Sequence, residues 1–110
     1  MLFRSIPSRP RSYFLQAGGK LNETRPTAPQ TRTAFKADPR NPNKMTTTVA
    51  FPGAADAQKF EAEPEVRTFT TEVLTEPLEW TGQIQADLWV TSTARDTDFI
   101  VRVKIGRAHV

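Results

Sequence analysis

A pair of carboxylates is the first feature of this sequence that suggests chemistry. Asp96 and Asp98 stand two residues apart, as the ligands of a calcium-binding loop do. The same spacing is typical of a turn that leads into a strand, where Asp side chains accept hydrogen bonds from backbone amides. We favour the turn, and we expect neither a metal nor a cofactor in this chain.

Three aromatic side chains suggest a second kind of site. Trp80, Trp89 and Tyr13 could line a carbohydrate-binding face, as aromatic residues do in jelly-roll modules. Packing in a core or against another domain is the alternative that we favour, because aromatic rings bury large areas. The stretch Asn22-Glu-Thr24 also matches the glycosylation acceptor pattern. We interpret it as a chance match, since the sequence shows no secretory route.

We expect no nucleophilic catalysis by the serines of this chain. Ser8, Ser12 and Ser92 do not lie in a G-x-S-x-G motif. The one histidine, His109, lies in a C-terminal tail that we interpret below as foreign, so no natural base is at hand. There is no cysteine for a disulfide framework or a thiolate metal site. We therefore expect no catalytic, cofactor-binding or metal-binding residue.

Alternating polar and apolar residues predict β-strands in the second half of the chain. Residues 83–91 place Ile84, Ala86, Leu88 and Val90 on one side, as in a half-buried strand. Trp89 interrupts the polar side, and we expect a loop or a neighbouring domain to cover it. Residues 66–74 and 98–103 show the same kind of pattern.

The first half of the chain gives weaker signals. We predict short strands at 13–15, 31–36 and 46–51, a turn at Gly18-Gly19, loops at 22–30 and 37–44, and one short helix within 54–63. Short strands that are separated by turns favour an antiparallel sandwich. The expected fold class is therefore all-β.

Several motifs in fixed order resemble one family of enzymes. They are Arg67, Leu74-Thr-Glu-Pro-Leu78, Thr81-Gly82 and Ser92-Thr-Ala-Arg-Asp-Thr-Asp98-Phe99, preceded by Ser12-Tyr-Phe-Leu-Gln-Ala-Gly-Gly-Lys-Leu21 and Asp38-Pro-Arg-Asn-Pro42. This order resembles the C-terminal β-sandwich domain of the X-prolyl dipeptidyl-peptidase or cocaine esterase-like serine hydrolases. The resemblance covers residues 12–103.

The resemblance implies a jelly-roll-like, galactose-binding-like sandwich whose last strands would follow residue 103. It also implies that a separate α/β-hydrolase domain supplies the catalytic serine, aspartate and histidine. That domain would be the partner of this one, with Trp89 and Arg67 as contacts, and the parent enzyme would act on small esters or peptides. A carbohydrate-binding jelly roll and a purely structural β-sandwich are the alternatives.

Both ends of the chain have the sequence of a cloning artefact. Residues 2–5, Leu-Phe-Arg-Ser, and 105–110, Ile-Gly-Arg-Ala-His-Val, are what a common sequencing adapter and its reverse complement encode. We interpret 1–5 and 104–110 as adapter-derived tails and 6–11 as a linker. Sequencing the source DNA across both junctions tests this interpretation, because natural coding sequence at either junction would refute it there.

This interpretation changes the charge argument. Removing Arg4, Lys104 and Arg107 from the 15 basic residues leaves 12, which equals the number of acidic residues. The formal net charge of +3 therefore gives no support for binding to nucleic acid or to a membrane surface. No apolar run approaches membrane-spanning length.

Overall fold

The computed structural model describes residues 7–27, 32–43 and 58–106. The chain divides into two compact units. One comprises Arg9–Glu72, and the other comprises Met1–Ser8 with Val73–Val110. Regular structure in the described residues is sparse: strands β1 (Phe14–Gln16) and β2 (Lys20–Asn22) and helix α1 (Gln58–Glu61).

An antiparallel hairpin of β1 and β2 organises the first unit. Phe14 lies opposite Asn22, Leu15 opposite Leu21, and Gln16 opposite Lys20. The connecting turn contains Gly18 and Gly19, which adopt φ angles of 78° and 74°. Only glycine visits this left-handed region at little cost. The predicted strand at 13–15 and the Gly-Gly turn are thus confirmed, with the strand displaced by one residue.

Polar side chains tie the two arms of the hairpin together. The Gln16 amide donates to Asn22 Oδ1 at 2.8 Å and to the Thr24 carbonyl at 2.6 Å. Arg11 donates two hydrogen bonds of 2.8 Å to the Glu23 carboxylate. That fork-to-carboxylate geometry lowers the pKa of Glu23, mainly through the hydrogen bond itself. The pair is half exposed, so its contribution to stability is modest.

A third segment lies alongside β2. Thr70 forms a parallel bridge with Lys20, in which the Leu21 amide donates to the Thr70 carbonyl at 3.0 Å. The Thr70 amide donates to the Gly19 carbonyl at 2.9 Å. The predicted strand at 66–74 is therefore present only as this single bridge.

Arg67 joins two further segments close to the bridge. Its Nε and Nη2 donate to the Ala34 carbonyl at 3.0 and 2.8 Å. Its Nη1 donates to the carbonyls of Pro64 and Val66, both at 3.0 Å. The planar guanidinium presents several donors in a fixed fork. One side chain thus holds residue 34 against a segment 33 positions further along.

Turns account for the loop predicted at 37–44 as far as the structure describes it. The Asp38 carbonyl accepts from the Asn41 amide, and Asp38 Oδ1 accepts from the Arg40 amide, both at 3.0 Å. This is the local bonding that makes Asp favourable in turns. The prolines at 39 and 42 are compatible with it because they fix φ.

Two sequence predictions for the first unit differ from the structure. No strand forms within the described residues 32–36, where the Ala34 carbonyl bonds to Arg67 instead of to a neighbouring strand. The loop predicted at 22–30 begins one residue later, because Asn22 is the last residue of β2 (Lys20–Asn22). The predicted helix is present as the four residues of α1, and 54–57 and the predicted strand at 46–51 lie outside the described residues.

The second unit departs further from the sequence predictions. Neither 83–91 nor 98–103 forms a strand, so these two predictions are wrong for the structure. An alternating pattern gives a strand only when a neighbouring segment supplies the ladder of hydrogen bonds, and the described part of this unit supplies none. Apolar side chains from Ile84 to Ile105 accordingly stay exposed.

The described residues contain no fully buried apolar side chain. Apolar side chains with partial cover belong mainly to the first unit, and they are Tyr13, Phe14, Leu21, Phe60, Val66 and Phe69, with Leu78 in the second unit. With one small antiparallel sheet and one helical turn, the described fold is compatible with an all-β class. The jelly-roll sandwich stays a prediction.

Replacing Gly19 should loosen the bridge more than replacing Gly18. A Cβ atom at Gly19 would lie 3.0 Å from the Thr68 carbonyl oxygen. A Cβ atom at Gly18 would have no such neighbouring atom within 4 Å. Both substitutions to alanine carry the left-handed backbone cost of about 1–2 kcal/mol. Gly19→Ala adds a crowding cost on the order of 1 kcal/mol. Amide hydrogen exchange of Leu21 and Thr70 should therefore accelerate about fivefold more in Gly19→Ala. Equal acceleration in both variants would contradict the close approach.

The Glu23 carboxyl should titrate at a lower pH in the native chain than in an Arg11→Gln variant. Because the folded pKa is lowered, the pairing with Arg11 contributes above the ordinary glutamate pKa of about 4.3. That contribution is lost as the pH falls through the lowered value. Carbon-detected NMR titration of the Glu23 carboxyl measures both midpoints. An unchanged midpoint in Arg11→Gln would show that the hairpin pair does not persist in solution.

Candidate functional site

Exposed apolar side chains mark the second unit as the candidate site. Trp89 is 98% exposed, Ile100 84% and Val73 71%. Single exposed apolar residues are ordinary on protein surfaces, but here large apolar side chains recur throughout one unit. A series of this kind is typical of a surface that another protein segment covers.

Among the large apolar side chains of the described residues, Trp89 is the most exposed. Together with Ala86, Asp87 and Leu88 it lines an open, shallow depression. Beside it, the Gln85 amide donates to Asp87 Oδ1 at 3.0 Å. An indole at the end of a polar stretch has both an apolar ring and an N–H donor to offer a partner.

The other aromatic candidates lie in different settings. Trp80 is 46% exposed. Tyr13 is half-buried in the first unit, where the Arg11 guanidinium lies 5.8 Å from its ring centre. Neither tryptophan lies on a strand. The exposed aromatic sheet face that would identify a carbohydrate-binding module is thus not found in the described residues.

Of the two carboxylates, Asp96 is the last residue of a bend and Asp98 lies two residues beyond it. Residues 93–96 form the bend, but its capping group is the Ser92 hydroxyl, which accepts from the Ala94 amide at 3.1 Å. Asp96 and Asp98 were expected to do this capping. No cluster of three or more metal-ligating side chains occurs among the described residues.

The serines show no catalytic arrangement in the part of the chain that the structure describes. Ser8 and Ser12 are exposed, and Ser92 is engaged in the bend. His109 lies outside the described residues. At the glycosylation-like pattern, Asn22 Oδ1 accepts from Gln16 and from the Thr24 amide, the latter at 3.1 Å. This bonding closes the end of the hairpin.

Arg67 and Trp89 were both expected to contact a partner domain, and their surroundings differ. All four hydrogen bonds recorded for the Arg67 guanidinium go to carbonyls of its own unit, so Trp89 is the stronger candidate for a contact.

The burial of Asn43 was not predicted from the sequence. Both polar atoms of its amide are buried without a hydrogen bond, and a single Asn after a proline gives no sequence signal for such burial.

No helix within the described ranges has the length and apolar character to cross a bilayer.

Comparison with known proteins assigns the chain to a family. Residues 6–108 match the family model described as the X-Pro dipeptidyl-peptidase C-terminal non-catalytic domain. A stretch of 51 residues, 46% of the chain, is 43% identical to cocaine esterase from Rhodococcus sp. (strain MB1 Bresler). That stretch spans 9% of the length of this relative. No solved structure matches the chain.

The family match covers nearly the whole chain, and it includes every motif on which the sequence resemblance rests. The local identity to cocaine esterase agrees with it. The chain therefore belongs to the family of X-Pro dipeptidyl-peptidase C-terminal non-catalytic domains.

Proposed function

We propose that this chain is the non-catalytic β-domain of a serine hydrolase of the X-Pro dipeptidyl-peptidase or acyl esterase type. The observation that carries the proposal is the family match over residues 6–108. The local identity to cocaine esterase supports it. In this proposal the parent enzyme hydrolyses ester or amide bonds by acyl transfer to a serine.

The catalytic machinery belongs to another domain of the parent. A serine nucleophile needs a histidine base within hydrogen-bonding reach and an oxyanion hole. The described residues contain no histidine, and their serines lie in exposed or turn positions. The proposed substrates are peptides that release an N-terminal X-Pro dipeptide, small esters, or β-lactams from whose side chains an acyl group is cleaved.

The role of this domain is to pack on the α/β-hydrolase domain beside the active-site entrance. Its exposed apolar side chains, with Trp89 foremost, supply the contact surface. Burying a large apolar side chain contributes about 1.5–3 kcal/mol, and aromatic anchors contribute much of the energy of such interfaces. Arg67 has a different role: its guanidinium donates to the carbonyls of Ala34 and Pro64 within the first unit.

Labelling by a serine-directed fluorophosphonate tests the enzyme class. We expect the parent protein, expressed from the gene that encodes this chain, to form a covalent adduct, since an activated serine hydroxyl attacks phosphorus and displaces fluoride. Mass spectrometry of the digest should place the adduct outside residues 6–103. The heat-denatured parent is the control, and it should stay unlabelled.

Either of two outcomes would overturn the proposal that this chain is the non-catalytic domain of a serine hydrolase. One is a native, soluble parent that the probe does not label. The other is an adduct on Ser8, Ser12 or Ser92, which would place the nucleophile within this chain.

Substitution of Trp89 tests the docking surface separately from the chemistry. In the parent protein, Trp89→Ser should lower the free energy of unfolding by about 2 kcal/mol or more, because an apolar contact is lost. Trp89→Phe, which keeps an aromatic ring, should cost less than half as much. Thermal or urea unfolding measures both variants. If Trp89→Ser is as stable as the native parent, Trp89 does not anchor the interface, whatever the labelling shows.

A further inference from the structure

We draw no further inference here: the strongest candidate, the apolar surface around Trp89 and Ile100 in the second unit, belongs to the docking surface already described, and nothing in the structure shows what else would cover it.

Discussion

Two backbone hydrogen bonds hold the Thr70 segment against β2, and they join the hairpin to the segment that contains Arg67. They engage the Leu21 amide and the Gly19 carbonyl, so Lys20 lies between β1 on one side and Thr70 on the other. The contact favours a glycine at position 19, where the Thr68 carbonyl approaches the backbone closely. Arg67, three residues before Thr70, then fixes residue 34 to the same segment.

Local signals in the sequence predicted the parts of this arrangement that are local in space. The Gly18-Gly19 turn and the Asp38 turn follow from backbone preferences that a few adjacent residues determine. Strand β2 was harder to predict, because the alternation of Lys20, Leu21 and Asn22 spans only three residues, fewer than a strand pattern needs. The tie from Arg67 to Ala34 joins segments far apart in the chain, and periodicity within either segment contains no information about it.

The second unit shows the opposite relation between pattern and structure. Residues 83–91 and 98–103 have clear strand patterns, yet they form no ladder. An alternating pattern predicts which face of a strand is buried. The strand itself forms only when a neighbouring strand pairs with it, and the described residues of this unit provide no such strand. The same condition leaves Trp89 and Ile100 exposed. For the candidate site, the sequence thus identified Trp89 as a residue in need of cover, but it did not anticipate the internal bonding of Arg67.

The bridge between Lys20 and Thr70 closes a loop of about fifty residues. In the polymer description of loop closure, the entropic cost grows only with the logarithm of loop length, by roughly 0.6 kcal/mol for each doubling. Insertions or deletions between these two anchor points should therefore be thermodynamically cheap during evolution. We therefore expect homologous domains to differ in length along this stretch, provided that each keeps a glycine turn and a matching segment to close against it.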